Sequence, residues 1–441
     1  MFRKLRFWAK LLIAFLSRFK KIIFGGIIFG LALFLSLNFI KPNLNKTKTE
    51  TIGITGRYHI GNLPLWILQL IGSGLVGVDQ SGNLTADIAT SWEQEDEGKT
   101  WIFKLDANRT WHDGTQLKAS DLTFDFPDVQ YEIQNPDTVV FRIPERFAPF
   151  PATLNKPLFK KGLLGTGDWS VNKITLQAGF VETLQLEDKN NNTLTLRFFP
   201  SDDATKLAYK LGKINIIHET LDPVPFNNWE TSKVSQKIDT QKYAGVFINT
   251  QDSLLSDKSL RQALNYAIDK DALSSNRAIS PISLNSWAYN PLVKTYDYDK
   301  QRAIELLESL PSEQKEKLAI NLVTLPSLLP VAETIKQYWE AIGIATQIQV
   351  AAVPPTQFQA LLAIHEIPLD PDQYSIWHST QKGTNITNYT NPRIDKLLED
   401  GRQIMEQQER KAIYIDFQRF LVEDTPAIFL YYPTTYSITR K

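Results

Sequence analysis

The side chains that could perform catalytic or metal chemistry are sparse in this sequence and do not fall into known catalytic spacings. Cysteine is absent, which excludes disulfides, thiolate metal sites and cysteine nucleophiles. No histidine belongs to an H-E-x-x-H sequence, and neither G-x-S-x-G nor G-x-x-x-x-G-K-[ST] occurs. The histidines are His59, His112, His218, His365 and His378. These residue types disfavour an enzyme and predict neither a resident metal nor a cofactor.

Three other segments carry chemical groups but are better explained as turns or loops. His112-Asp113-Gly114 contains the Asp-Gly pair that is typical of a tight turn. Gly72-Ser73-Gly74 is too short and too isolated for a phosphate-binding loop. Asp370-Pro371-Asp372 supplies two carboxylates, whereas a calcium loop needs more oxygen ligands at regular spacing.

Charge is distributed unevenly along the chain. Lys plus Arg and Asp plus Glu both number 48, but residues 1–40 hold seven basic side chains and no acidic one. The remaining residues therefore carry seven more acidic than basic side chains. A nucleic-acid-binding protein would place positive charge on its folded region, so we expect no nucleic-acid partner.

Residues 22–40 form an apolar stretch of nineteen residues without a charge. At about 1.5 Å per helical residue, this stretch nearly spans a hydrocarbon core of about 30 Å. The alternative is a cleaved signal peptide, whose apolar core usually runs about 7–15 residues before a small-x-small site that is missing here. The pattern favours an uncleaved, single-pass transmembrane anchor.

The basic residues before this stretch predict its orientation. Because positive charge is retained on the inner side, residues 1–21 should be a cytosolic segment. Residues 41–50 are then a short polar linker, and the C-terminal region lies outside the cell membrane. We therefore expect a membrane protein with a cytoplasmic N-terminus and an extracytoplasmic C-terminal domain.

The region 51–441 mixes helical and strand periodicity, without a repeat or a low-complexity tract. Helical spacing predicts a helix after Ser256-Asp257, a second around 330–342, and one long helical pattern from Ile394 to about Val422. Alternating apolar residues predict four strands. They are Lys99–Leu105, Thr138–Ile143, Phe180–Glu187 and Thr193–Phe199. This alternation favours an α/β fold whose sheets are covered by helices.

Five segments carry motifs in a recognisable order. They are Gly82–Phe124 (GNLTADIATSW, then WHDG), Val246–Leu273 (VFINTQDSLLSDKSLRQALNYAIDKDAL), Tyr296–Leu307 (YDYDKQRAIELL), Glu333–Val350 and Asn388–Tyr432. In this order and spacing they resemble the family 5 extracellular solute-binding proteins, the receptors of peptide and nickel ABC importers. The resemblance covers almost all of 51–435.

The resemblance implies a periplasmic-binding-protein-like fold of two α/β lobes (type II, large cluster) between which the chain crosses twice. Lobe I would be residues 51–243 plus 415–441, and lobe II residues 244–414, with the first crossing near Tyr243–Asn249. The implied function is a receptor that closes around an oligopeptide or similar small solute without breaking a bond. Its implied partners are the permease and ATPase subunits of an ABC importer.

Departures from the family pattern affect what could bind. Only about forty residues separate Phe124 from Gly165, which implies a shortened extra subdomain in lobe I. Peptide-binding members usually hold the ligand's ammonium with a carboxylate three residues before an Asp-Pro pair, and that position is Ile367 here. Glu366 and Asp370 are the nearest carboxylates, and strand alternation favours Asp370. The lipid-anchoring cysteine is also missing.

Candidate ligand contacts follow from the resemblance and the expected place of the cleft. Peptide-like ligands are held by backbone hydrogen bonds between aromatic walls. The candidates are Tyr58, His59, Tyr243, Asn249, Trp287, Glu366, Asp370, Trp377 and His378. The alternative is core packing for each aromatic residue, a hinge hydrogen bond for Asn249, and a plain loop carboxylate for Glu366 and Asp370.

Other function classes stay open at this point. A membrane-tethered sensor, or a binding protein for a non-peptide solute, could use the same fold without a permease. A hydrolase is the third class, and the absence of catalytic motifs disfavours it.

Overall fold

The computed structural model describes residues 2–40, 48–79, 82–315 and 318–441, without the side chains of 2–7, 9–15 and 36–40. The chain divides into two compact units. The first is Met1–Thr49 with Asn190–Thr193, and the second is Glu50–Lys189 with Leu194–Lys441.

The first unit contains the long helix α1 (Phe2–Ile40). The second segment of this unit, Asn190–Thr193, is joined to the first by a hydrogen bond. The backbone N–H of Lys48 donates to Oδ1 of Asn192 at 2.9 Å. Among the described residues, no helix is both long enough and apolar enough to cross a membrane. This finding does not support the transmembrane anchor predicted over residues 22–40, although the side chains of 36–40 lie outside the described part. Residues 41–47 of the predicted linker lie outside it as well.

The strands and the remaining helices follow in the second unit. The strands are β1 (Thr49–Thr55), β2 (Val76–Val78), β3 (Leu84–Ala86), β4 (Ala89–Glu95), β5 (Thr100–Leu105), β6 (Gln130–Asn135), β7 (Thr138–Arg142), β8 (Trp169–Gln177), β9 (Phe180–Asp188), β10 (Thr193–Phe199), β11 (Ile216–Thr220), β12 (Ser232–Ile238), β13 (Lys242–Ile248), β14 (Ala319–Thr324), β15 (Ala345–Val350), β16 (Ala360–Glu366), β17 (Ala427–Tyr431) and β18 (Thr434–Arg440). The helices are α2 (Leu65–Ile71), α3 (Phe150–Thr153), α4 (Asp202–Lys210), α5 (Lys258–Tyr266), α6 (Lys270–Leu273), α7 (Lys300–Glu308), α8 (Ser312–Lys315), α9 (Leu329–Glu340), α10 (Tyr374–Trp377), α11 (Pro392–Gln403) and α12 (Gln407–Asp424). The four predicted strands are confirmed as β5, β7, β9 and β10.

Lobe I is built on a seven-stranded sheet in the order β12-β18-β11-β1-β10-β9-β8. Strand β10 shows why these residues form a sheet, because Leu194, Leu196 and Phe198 alternate inward along it. Strands β1 and β11 are parallel, so their carboxyl ends reach the same edge of the sheet. A four-stranded sheet, β4-β5-β7-β6, and the β2–β3 hairpin complete the lobe.

Lobe II is built on a five-stranded sheet in the order β15-β14-β16-β13-β17. Strand β13 is buried on both faces, with Val246 and Ile248 in one hydrophobic cluster and Tyr243 and Phe247 in another. A near-continuous apolar strand of this kind is expected where helices cover both sides of a sheet. Strand β14 runs parallel to both β15 and β16, whereas β13 pairs antiparallel with β16 and β17.

The chain changes sheet twice, which defines the two crossings. It leaves the lobe I sheet after β12 and enters the lobe II sheet with β13, and it returns between β17 and β18. The boundary expected at residues 414 and 415 falls inside α12. Two buried residues of that helix, Phe417 and Leu421, pack in the same cluster as Tyr243 of the lobe II sheet.

The long helical pattern predicted from Ile394 to Val422 is two helices in the structure, so that prediction is wrong. Helix α11 ends where Ile404 turns to φ −83° and ψ 125°, and α12 begins after Glu406, which is also extended. Apolar spacing runs on across this break because Ile404 and Met405 are themselves apolar. The helix predicted after Ser256-Asp257 is confirmed as α5, whose Asp257 carboxylate accepts the N–H groups of its first turn.

Candidate functional site

A cleft lies between the two lobes, and its first part is where the chain crosses into lobe II. There the carboxyl ends of the parallel strands β1 and β11 lie near the start of β13. Lys242 of β13 is paired in register with Glu366 of β16. Ligand sites of α/β sheets form at such strand ends. We call the polar residues of this region the crossing cluster. They are Tyr58, His218, Glu219, Asp239, Lys242 and Glu366.

The crossing cluster holds more negative than positive charge. The Nζ of Lys242 lies 3.2 Å from Oδ2 of Asp239. Burial disfavours the ammonium, but three carboxylates outweigh burial and raise the pKa of Lys242. Those carboxylates belong to Asp239, Glu366 and Glu219. Burial lowers the pKa of His218, although Glu219 opposes that shift, so the imidazole is neutral at pH 7. Among its six residues the cluster thus has one ammonium and three carboxylates, and a second cation, Lys237, lies near His218.

Glu219 has an unusual backbone for its residue type. Its φ is +50°, in the left-handed region, and the pairing of β11 with β18 shifts register between Ile217 and Thr220. Such a residue costs about 1–3 kcal/mol and persists where surrounding contacts hold it, often beside functional sites. The centroid of the neighbouring His218 ring lies 4.2 Å from that of Trp66, and the two rings are tilted by 35°. The irregular strand end therefore holds a carboxylate and an aromatic pair in place.

The second part of the cleft is a cavity of about 350 Å³ with walls from both lobes. Lobe I contributes Gly82, Asn83, Leu84, Ala148 and Ala152, and lobe II contributes Trp287, Leu369, Asp370, Gln407 and Arg410. A small constriction shares Gly82 and Leu369 with this cavity and reaches Gln241, next to Lys242. The constriction therefore extends from the cavity towards the start of β13, where the crossing cluster begins.

An ion pair forms the polar floor of the cavity. The Arg410 guanidinium donates to both oxygens of Asp370, at 3.0 Å from Nη1 and 2.6 Å from Nη2. Its Nε donates to the carbonyl of Gly401 at 2.8 Å, and the group lies 5.3 Å from the ring of Trp287. Burial raises the pKa of Asp370, and Arg410 opposes the shift. Because both of its oxygens accept hydrogen bonds from Arg410, the negative charge of Asp370 is already compensated by the guanidinium.

Four of the residues predicted from the sequence lie at this cleft. Tyr58 and Glu366 are in the crossing cluster, and Trp287 and Asp370 line the cavity. His59 is exposed, and its ring stacks on Phe180.

The other four predicted residues lie away from these walls. Tyr243 and Trp377 are fully buried in the core of lobe II. His378 is 3% exposed and stacks on Tyr374. The Asn249 side chain accepts a hydrogen bond from Asn388 at 3.0 Å.

Sequence reasoning missed His218, Glu219, Lys242 and Arg410 as groups of the cleft. The segment Ile216–Thr220 carries the letters IIHET, which predict a strand end but not its neighbours. Only the parallel pairing of β11 with β1 brings those side chains beside Tyr58. Arg410 lies forty positions from Asp370, and no local pattern joins the two.

Comparison with known families gives a match to one model. The model described as "Bacterial extracellular solute-binding proteins, family 5 Middle" matches residues 83–385. Among curated proteins, the chain is 23% identical to the oligopeptide-binding protein AppA of Bacillus subtilis (strain 168), over 84% of this chain and 82% of that protein. It is also 23% identical to the dipeptide-binding protein of Escherichia coli (strain K12), over 80% and 82%.

Solved structures share the fold. NikZ from Campylobacter jejuni, in complex with Ni(L-His), superposes with a TM-score of 0.77 at 22% identity, covering 90% of this chain and 94% of that one. AppA from Bacillus subtilis, in complex with a nonapeptide, gives a TM-score of 0.70 at 20% identity, covering 90% and 95%. Both comparisons support the two-lobed α/β architecture.

The Asp370–Arg410 pair generates a stability prediction. Arg410→Met should destabilise the protein by about 3–5 kcal/mol, because the buried Asp370 carboxylate loses its partner. Arg419→Met on the same helix is the control, since Arg419 is 60% exposed and pairs only at the surface with Asp416. Such a pair contributes about 0–1 kcal/mol. Urea unfolding followed by circular dichroism measures both variants, and equal losses would contradict the prediction.

Proposed function

The chain belongs to the bacterial extracellular solute-binding proteins of family 5, and from that membership we propose that it binds short peptides in the cleft between its lobes. The observation that carries the proposal is the cavity of about 350 Å³, whose walls come from both lobes. A ligand that touches both walls binds the closed arrangement better than the open one, so it draws the lobes together. Binding alone performs this function, and no bond is broken.

The size of the cavity favours a short ligand. Small-molecule sites usually enclose about 300–1,000 Å³, so this cavity is at the small end of the range. A peptide of two or three residues suits that volume better than a long oligopeptide. The dipeptide-binding protein of Escherichia coli, which is among the relatives, supports this choice.

The crossing cluster is the proposed site for the ligand's ammonium group. An ammonium that leaves water needs a carboxylate partner. Asp370 is unsuited because Arg410 occupies both of its oxygens, and Ile367 stands where relatives usually have the carboxylate. Glu366 and Glu219 flank Lys242 with excess negative charge, and together they can accept the ammonium.

A non-peptide solute is the second candidate. The apolar Ile367 at the usual carboxylate position favours it, because a solute without an amine needs no anion there. NikZ, which binds a nickel–histidine complex, has the same fold. Under this alternative the crossing cluster would contribute nothing specific to a free amine.

Delivery to an importer is also part of the proposal. The closed receptor would dock on an ABC permease with its ATPase subunits, with the binding unit outside the cytoplasmic membrane. We place the N-terminal region at that membrane on the basis of its sequence, with basic residues before the uncharged residues 22–40. A sensor without a permease would share every structural feature of the cleft.

The membrane attachment has a direct test. The full chain, expressed in a bacterial host, should stay in the membrane pellet after washing with about 1 M salt, at which the Debye length is only about 3 Å. Electrostatic attachment alone would be released by this wash. N-terminal sequencing of the mature protein should begin at Met1 or Phe2. A sequence beginning near Lys41 would instead show a cleaved signal.

Binding without turnover tests the function itself. The purified full chain should bind trialanine at one site, with a change in tryptophan fluorescence, because Trp66 and Trp287 lie at the cleft. Ligand should raise the apparent stability by mass action. Mass spectrometry should recover intact trialanine after long incubation. Accumulation of dialanine and alanine would show that the protein is a hydrolase and not a receptor.

The ammonium site makes a prediction about individual carboxylates. Glu219→Gln and Glu366→Gln should each weaken trialanine binding by about 2–5 kcal/mol if the pair is desolvated on closure. Neither should change the affinity for a ligand that lacks the amine, such as N-acetyl-trialanine. Glu93→Gln, on the exposed side of β4, is the matched control. Calorimetric titration gives these affinities.

One outcome separates the two candidate solutes. If both glutamine variants bind trialanine as the natural chain does, amine capture at the crossing cluster is wrong. Mass spectrometry of solutes released from the denatured natural protein would then identify the ligand class directly.

A further inference from the structure

The break between α11 and α12 reaches from lobe II to lobe I. Ile404 and Glu406 are extended, and Met405 between them packs against the lobe I cluster that contains Trp101 and Phe103. A connector within one lobe has no need to place its apolar side chain in the other lobe. Met405 therefore forms a contact between the lobes that the two chain crossings do not require.

Lobe I presents a shaped surface to Met405. The turn between β4 and β5 has three successive residues with positive φ: Asp96 at 50°, Glu97 at 58° and Gly98 at 89°. A Cβ on Gly98 would lie only 2.5 Å from the Met405 sulfur, so the thioether rests directly on the glycine backbone. A side chain at residue 98 would displace the Met405 thioether, and the φ of 89° there itself favours glycine.

A backbone hydrogen bond and an aromatic contact join the lobes beside Met405. The N–H of Ala148 in lobe I donates to the carbonyl of Arg402 in lobe II at 2.8 Å. The Arg402 guanidinium lies 3.7 Å from the ring of Tyr374 and 5.2 Å from that of Phe147, which belongs to lobe I. Asp372 holds the guanidinium in this place at 2.8 Å.

We propose that Arg402 and Met405 form a latch that holds the lobes closed against Gly98, Phe147 and Ala148. The latch shares Ala148 with the ligand-binding cavity and lies next to a second residue of its wall. Ala148 lines that cavity, and Arg410 in the cavity floor donates from Nε to Gly401, next to Arg402. Met405 is a positioning residue, because it acts on the ligand through lobe closure and touches no ligand itself.

The latch changes affinity through the population of the closed state. When only a fraction of the molecules is binding-competent, the apparent Kd rises in inverse proportion to that fraction. A weakened latch should therefore raise the Kd of every ligand by the same factor. A residue that contacts the ligand would change different ligands by different factors. This consequence rests on the proposed function, whereas the latch contacts themselves do not.

Hydrogen exchange tests the latch on the full chain without any ligand. In Met405→Ala, the amide of Ala148 should exchange about tenfold faster than in the natural protein, because its acceptor separates more often. Amides of β13 should keep their rates, which shows that the lobes remain folded. Met405→Leu should restore slow exchange, and Leu292→Ala, at a residue 89% exposed, is the matched control. Equal exchange of Ala148 in the natural protein and Met405→Ala overturns the proposal.

Peptide titration gives the second readout. Trialanine and dialanine should lose affinity by one common factor in Met405→Ala, and unequal factors would overturn the positioning role. If the natural protein binds neither peptide, the proposed function fails while the exchange experiment still decides the latch. X-ray scattering of the unliganded protein should show a larger radius of gyration for Met405→Ala than for Met405→Leu.

Discussion

The buried contact between Arg410 and Asp370 is the interaction on which the rest of the cleft depends. One guanidinium uses two nitrogens to hold the loop after β16 and a third to hold the end of α11. A planar fork of donors can do this, and the point charge of a lysine could not. Through this residue, hydrogen bonds join the cavity floor to the end of α11, just before the connector that reaches lobe I. The cost of burying both charges is offset because each is paired and hydrogen-bonded.

The two ends of the cleft differ in charge for a structural reason. At the cavity floor, the charges of Asp370 and Arg410 compensate each other, so under the proposed function this end would distinguish ligands by shape and by contact with Trp287. At the crossing cluster, one ammonium faces three carboxylates, and the imbalance is left for a ligand to correct. Under the proposed function, this difference would orient an asymmetric solute with its cationic end towards the crossings. A buried pair that is already satisfied cannot provide such an orientation.

How much could be predicted from the sequence depended on the range of each interaction. The bounds of strand β10 were predicted to the residue, because the alternation of its apolar side chains is a local pattern. The start of α5 could be predicted because Asp257 is a favourable N-cap residue. The order of family motifs led to the two lobes. The break between α11 and α12 could not be predicted, because the apolar side chain of Met405 continues the helical pattern. Its contact with Gly98, which is distant in the sequence, is visible only in the structure. The role of Asp370 was likewise decided by an arginine distant in the chain.

In the proposed function, the latch contributes to the affinity for any solute, and the residues of the cleft determine the selectivity between solutes. The latch contacts lie between protein groups alone, so their free energy enters the binding of any ligand equally. The crossing cluster and Trp287 are the proposed contacts with the solute, so their contributions would change with its chemistry. A receptor that must release its solute to a partner gains from this separation. A partner that pulls Gly98 from Met405 would weaken binding of every solute without recognising any of them. The turn at residues 96–98 has a left-handed backbone at all three positions, and opening of the latch would remove its contact with Met405.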